Sequence, residues 1–388
     1  MTNIDPRQNL LILGVHLKSE GYPNTLYRLQ ELKDSGRFRI VEINMPMWSK
    51  IKANRYRISG LLATMFRAVL AHIVVMIRYL RHSPRKTPAY IPYPGVFVLF
   101  LLACLPVNFR PHHLVADVFI SLYDTIVLDR CLLRKKSFLA KILKWMERRA
   151  YLVADILVVD TEQNKDHLCS LFDLVKEKVV AIPLSTDEKN FHYTPYQPNS
   201  DKCQVLFIGT MVPLHGIRTI LQTACLLAER PDIHFTLIGD GQEGCFIEEC
   251  LARGAVQLKW KRYWQSSPEL AAEISQADIC LGVFGDGKKT QRVCPFKMYN
   301  YAAIGRPVIT GTTEWSRQAV SSLSYAPFIG IPVGDAKTLA AEIVRLADAP
   351  HLRAQLAVNS HIFYRTYLAN QLAMGKLISC LIKEEHGK

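Results

Sequence analysis

The sequence predicts an α/β protein made of two doubly wound, Rossmann-like domains facing across a cleft. Three observations predict it. Short apolar runs alternate with helix-like stretches and glycine-bearing loops, the βαβ rhythm of a parallel sheet. That rhythm runs twice, on either side of the polar, proline-containing stretch Pro195–Asp201. A chain of 388 residues, 49% hydrophobic and 21% charged, is also too long for one ordinary core and suits two.

The expected boundaries are 1–185 for a basic first domain, 186–202 for a linker and 203–355 for a second Rossmann-like domain. Residues 356–388 are expected to form a helical segment that packs back on the first domain. In the first series, Leu10–Val15 reads as a strand, followed by the loop Lys18–Thr25, a helix to about Ser35 and the strand Arg39–Asn44. Further strands are expected at Ala89–Tyr93, Leu114–Ile120 and Asp155–Val159. The second series has strands at Val205–Ile208, His234–Ile238, Ile279–Val283 and Pro307–Thr310, with helices at Ile217–Ala228 and Lys297–Ile304. Helices Ala336–Ala347 and His351–Lys383 end the chain. In such folds ligands bind at the carboxyl ends of the strands, which points to the loops after them.

Charge and cysteine content narrow the classes. The ten cysteines form no CxxC pair and no metal-like spacing with histidine, so they read as small buried hydrophobes, without a metal site. No stretch near twenty apolar residues lacks a charge, so no conventional transmembrane helix is expected. Leu10–Val15 reads as a strand rather than a secretory segment, which makes the cytoplasm the expected compartment.

The net charge of +14 is uneven, with 27 basic against 15 acidic residues in 1–185. Between Glu42 and Asp117 no acidic residue occurs, while Lys50, Lys52, Arg55, Arg57, Arg85 and Lys86 are among the basic ones. Such a field attracts phosphates, or is simply a solvated face. No aromatic–basic RNA motif or helix-turn-helix pattern accompanies it, so no nucleic-acid partner is expected. Within 60–82, Leu61, Leu62, Met65, Phe66, Val69, Ile73, Val74, Ile77 and Leu80 recur at three- and four-residue spacing, interrupted by Arg67, Arg78 and Arg81. Two readings stay open: a helix covering one face of the sheet, or peripheral contact with the cytoplasmic face of a membrane through residues 50–86.

The chemistry-bearing residues cluster in the second half. Gly209-Thr-Met-Val-Pro-Leu-His-Gly216 follows a strand and opens a helix, where backbone N–H groups suit a diphosphate. Lys288, Lys289, Arg292 and Lys297 precede or begin another helix, where positive charge opposes the local dipole and makes sense facing an anion. Asn300 lies one turn after Lys297 and shares its face. Gly305-Arg-Pro307 ends that helix.

These elements occur in a set order: Gly209-Thr…Pro213-Leu-His-Gly216, Leu237-Ile-Gly-Asp-Gly241, Ala277-Asp-Ile-Cys-Leu-Gly282, then Lys297…Asn300…Gly305-Arg-Pro-Val-Ile309. In that order the sequence resembles the GT-B glycosyltransferases of the family 4 type, the glycosyl transferases group 1. Ile182-Pro183-Leu-Ser-Thr-Asp187…Phe191 looks like the family's inter-domain segment.

The resemblance implies retaining transfer of a sugar from a UDP- or GDP-linked donor to a glycan or lipid-linked acceptor, in polysaccharide or glycolipid synthesis, with neither metal nor cofactor. Lys297, Arg292 and Asp117 are the expected catalytic residues. Gly14, Gly209, Thr210, His215, Gly216, Gly241, Lys289 and Asn300 are the expected donor-binding ones. Thr210 and His215 stand where the family usually has Arg and Lys, and Asn300 where it has a ribose-binding Glu. Lys289, Arg292 and Lys297 are therefore expected to supply the diphosphate cations. A second reading is a non-catalytic binding or scaffold protein with a degenerate donor site.

Overall fold

The structure is a computed structural model that describes residues 7–16, 23–45, 58–82, 87–198, 202–254, 257–263 and 265–382. It divides into two compact units, Met1–Ser185 with Gln371–Lys388, and Thr186–Asn370.

The first unit contains β1 (Gln8–Gly14), α1 (Pro23–Asp34), β2 (Phe38–Asn44), α2 (Ile58–His82), β3 (Ala89–Ile91) and α3 (Val96–Cys104). It continues through β4 (Leu114–Asp117), α4 (Phe138–Val153), β5 (Ile156–Val159), α5 (Glu162–Phe172) and β6 (Val179–Ala181). All strands are parallel, in the order β2-β1-β3-β4-β5-β6. Alternation along β1 builds a core on each face of this sheet. Leu11 and Leu13 join Val75, Leu99 and Ala150 from the helices of one face. Leu10 and Ile12 join Leu29 of α1 and Leu377 and Leu381 of the chain's last helix on the other.

The second unit contains β7 (Cys203–Ile208), α6 (Ile217–Leu226), β8 (Ile233–Ile238), α7 (Gly244–Ala252), β9 (Leu258–Lys261), α8 (Ser267–Ser275) and β10 (Ile279–Leu281). Then come α9 (Phe296–Ile304), β11 (Val308–Gly311), α10 (Glu314–Val320), β12 (Ile329–Ile331), α11 (Ala336–Ala347) and α12 (Pro350–Phe363). Its sheet is again parallel, in the order β12-β11-β10-β7-β8-β9. The strand order therefore reverses at β7 and β10, the switch point where open α/β sheets bind ligands. The last helix, α13 (Asn370–Leu381), follows.

The chain returns to the first unit at 371, where the sequence reading placed the change at 356. The reason is α12: Leu356 lies in the second core, and Arg353 donates to Leu346 O (2.5 Å) and Ala347 O (2.7 Å). Nor is the expected linker a free connector in its described part. Tyr196 donates to Asp278 (2.6 Å) and Thr186 to Asn300 (2.5 Å), both inside the second unit.

The α2 stripe is resolved by burial. Ala71, Val75, Met76 and Tyr79 are the side chains buried against the sheet. Phe66, Val69, Ile73, Ile77 and Leu80 of the expected stripe, with Leu70, point outward instead. The helix is thus apolar on both faces, and among the described residues only one of them packs into the core. Lys50, Lys52, Arg55, Arg57, Arg85 and Lys86 lie outside the described residues, as do the side chains of Leu61, Leu62 and Met65.

Asp117, expected to face a substrate, is a structural residue. It ends β4 at 1% exposure, with Arg28 Nη1 at 2.5 Å, Tyr90 Oη at 3.3 Å and Asn24 Nδ2 at 3.4 Å. Arg28 also donates to Pro183 O (2.7 Å), tying α1 to the end of the sheet. Burial raises the Asp117 pKa, and the adjacent Arg28 opposes that shift. Removing one partner of a buried pair leaves the other charge uncompensated, at about 3–5 kcal/mol. Asp117→Ala should lower the unfolding free energy of the first unit by about that amount, with a lower urea midpoint followed by circular dichroism. An unchanged midpoint would return Asp117 to a substrate-facing role.

Candidate functional site

The site is built at the β7–β10 switch point of the second unit. β7 delivers Phe207 and then Gly209, β10 delivers Gly282, and α9 places Lys297 in its first turn. No side chain caps the α9 N-terminus, which begins after Pro295. Lys297 is 8% exposed, with Nζ at 3.5 Å from Gly282 O and 3.8 Å above the centre of the Phe207 ring. Among the described residues no carboxylate lies within ion-pair distance of it. Burial pushes its ammonium well below the usual lysine range.

His215 completes this cluster. It is buried, its ring meets Phe207 edge-on at 5.4 Å, and its Nδ1 has no hydrogen-bond partner among the described residues. Burial, and then the nearby Lys297 charge, hold its pKa well below the ordinary histidine value. The imidazole is therefore neutral near pH 7 and offers a hydrogen bond rather than a charge. A Cβ on Gly209 would stand 2.7 Å from His215 Cε1, so the glycine is what lets the ring lie against the end of β7. Thr210 is exposed on the same loop.

Gly216 holds φ +67° at the start of α6, a left-handed conformation that favours glycine, and no side chain of its own caps the helix. Glu243 reaches the first N–H of α6, at Ile217. Its carboxyl pKa is raised by burial and drawn back by Arg218 and by that N–H. Glu243 carries no signal in the sequence, because its partner lies on a different βα loop. Gly241 serves packing rather than ligand approach: a Cβ there would overlap Thr210 O, and Glu243 N donates to Met211 O (2.8 Å). The loops after β7 and β8 are thus in backbone contact.

The other expected residues are placed as follows. Arg292 is buried and Lys289 half-buried on a turn tied to α10, where Trp315 N donates to Gln291 O (2.9 Å). Asn300 Oδ1 accepts from Thr186 Oγ1, whose backbone N–H donates to Asn370 Oδ1 (2.9 Å). This leaves the Asn300 amide with Nδ2 as its donor, the opposite polarity to a carboxylate. Gly14 ends β1 in the first unit, and a Cβ there would stand 2.8 Å from His16 Nδ1. His16 in turn meets Glu42 at 3.2 Å. Phe207 and Thr186 were missed by sequence reasoning, since an apolar strand residue and a loop threonine carry no chemical signal of their own.

Residues 202–349 match the family model described as glycosyl transferases group 1. A search of curated proteins finds no match. Among solved structures, sucrose-phosphate synthase from Thermosynechococcus elongatus is similar at TM-score 0.71 and 15% identity, over 96% of this chain and 98% of that one. Anabaena HepE in complex with UDP is similar at TM-score 0.63 and 11% identity, over 96% and 99%. TarM is similar at TM-score 0.62 and 14% identity, over 80% of this chain, which spans 58% of TarM. These likenesses show the fold: two Rossmann-like domains of the GT-B class.

The buried ammonium of Lys297 makes a stability prediction. Below its lowered folded-state pKa, Lys297 is charged in both states and its burial penalty is fully present. Between that value and the ordinary lysine value of about 10.4 the unfolded chain binds the extra proton, so stability rises with pH. Lys297→Met should therefore raise the neutral-pH stability of the ligand-free protein by about 1–3 kcal/mol. The gain should shrink toward alkaline pH. Thermal midpoints of both proteins across pH check it; a less stable variant would mean that the charge has a partner.

Proposed function

We propose that this chain is a glycosyltransferase. It moves a sugar from a nucleoside-diphosphate donor, UDP- or GDP-linked, to a glycan or lipid-linked acceptor, in polysaccharide or glycolipid synthesis. The observation that carries this reading is the buried ammonium of Lys297 beside neutral His215 at the β7–β10 switch point. A cation held in an apolar, preorganised site gains most from a ligand whose negative charge grows during reaction, as a leaving diphosphate's does. The UDP held by HepE, and the UDP and fondaparinux held by a variant of S. aureus TarM, support the same classes of donor and acceptor here.

The transfer is retaining, as the family 4 resemblance implies, and needs neither metal nor cofactor. Lys297 supplies the charge that stabilises the departing diphosphate, and His215 donates a hydrogen bond to one of its oxygens. Arg292 and Lys289, on the turn before α9, are the further cations of the reading. Asn300 Nδ2 donates to a ribose hydroxyl in place of the usual carboxylate.

The protein works in the cytoplasm, where ten cysteines that form no disulfide suit reducing conditions. It meets the membrane face peripherally through residues 50–86, for which the outward apolar stripe of α2 speaks. Among the described residues no helix is long and apolar enough to cross a membrane.

A non-catalytic scaffold is the second reading, favoured by Asn300 and its engagement with Thr186. Incubating the full chain with a panel of UDP- and GDP-sugars separates the two. The enzyme reading expects nucleotide release, with kcat lowered about 10²–10³-fold in Lys297→Ala. Thermal stabilisation by a nucleotide sugar with neither hydrolysis nor transfer, with or without acceptor glycans, would leave the scaffold.

A further inference from the structure

We propose that the first two turns of α4 form a second membrane anchor, beside α2, on one bilayer-docking face of the first unit. This deepens the peripheral membrane contact proposed above and rests on it, while being independent of the donor chemistry.

The first observation is exposure. Phe138 is 76% exposed, Leu139 60% and Trp145 57%, with Ile142 also exposed. Phe138, Ile142 and Trp145 follow helical spacing and share one face, whereas Ala140, Glu147 and Ala150 face the core. Single exposed apolar residues need no explanation, but a clustered set marks an interaction surface.

The second is continuity with α2. His72 of α2 meets Phe97 of α3 edge-on at 5.6 Å, and Phe100 of α3 meets Trp145 of α4 at 5.7 Å. Phe97 is itself exposed and one turn from Phe100. A row of rings thus joins the outward stripe of α2 to the apolar face of α4 across α3.

The third is charge, which selects the occupant. Arg134, Lys135 and Lys136 precede Ser137, the residue that caps α4, and Lys141 and Arg149 are exposed along it. The one acidic residue of α4, Glu147, is turned inward, accepting from Leu122 N (2.7 Å), Tyr123 N (2.8 Å) and Tyr151 Oη (2.5 Å). A second copy of this face would bring like charges together. An anionic bilayer supplies both counter-charge and an apolar layer, and tryptophan suits the boundary between them. Each basic residue near such a surface is worth about fivefold in partitioning.

Co-sedimentation of the full chain with vesicles of phosphatidylcholine, with and without phosphatidylglycerol, tests this. The protein should bind the anionic vesicles. Phe138→Ser combined with Leu139→Ser should weaken binding about tenfold, and Lys135→Glu with Lys136→Glu should do so in a salt-dependent manner. Brominated lipid should quench a fluorescence component that is absent from Trp145→Phe. Donor hydrolysis without vesicles should be unchanged in all of these variants.

Wild-type binding by the α4 variants, without Trp145 quenching, overturns the second anchor. If Ile73→Ser with Ile77→Ser then abolishes binding, contact through α2 alone stands. If no variant loses binding, both contacts fall. Loss of a dimer in the α4 variants with vesicle binding intact would make the face an interface between copies and overturn the proposal.

Discussion

One buried ammonium, with no carboxylate in ion-pair reach among the described residues, sets the character of the strand ends in the second unit. Lys297 lies against Phe207 and the Gly282 carbonyl, where low polarity magnifies every electrostatic interaction and water cannot relieve the charge. The topology puts it there. β7 and β10 are the neighbours at which strand order reverses, the place where open α/β sheets bind ligands at their carboxyl ends. The glycine at 209 clears space for His215, and α9 brings Lys297 to the same strand ends, against Phe207. A neutral imidazole beside an ammonium that has no counter-ion among the described residues is poorly stable by itself and would gain from an anion.

The first unit shows the other fate of a strand-end charge. Asp117 ends β4 much as Gly282 follows β10, and from sequence it looks equally available to a substrate. Its counter-ion Arg28 comes from α1 and is itself buried, so the pair is closed and locks a helix to the sheet. Position at the end of a parallel strand is therefore not enough to mark a functional group. What separates the two cases is whether the fold has already supplied the opposite charge.

That difference explains what was legible in the sequence. The strands and the loops after β7 and β8 could be read from periodicity and glycine placement. Lys297 could be read as well, because a cation at a helix N-terminus is locally unfavourable and so conspicuous. The Arg28–Asp117 pair spans 89 positions and the Thr186–Asn300 hydrogen bond 114, and neither partner announces the other. The α2 spacing was equally visible, but periodicity reports that a stripe exists and not which side meets the sheet. Only burial distinguishes Val75 and Tyr79 from Ile73 and Ile77. The boundary near 371 was hidden for a similar reason, since α12 and α13 are both helical and differ in the core they join.

The last helix sets an order of assembly. Leu377 and Leu381 pack with Leu10 and Ile12 of the first strand, and His113 Nε2 meets the carbonyl of Cys380 at 2.7 Å. One layer of the first unit is therefore supplied from the far end of the chain. During synthesis the residues of the second unit are all available before that layer exists. The intervening unit can reach its native core while the first still shows an uncovered sheet face. Chaperone demand in the cell should follow that interval, and trimming the tail should unsettle the domain at the opposite terminus rather than the one it is attached to.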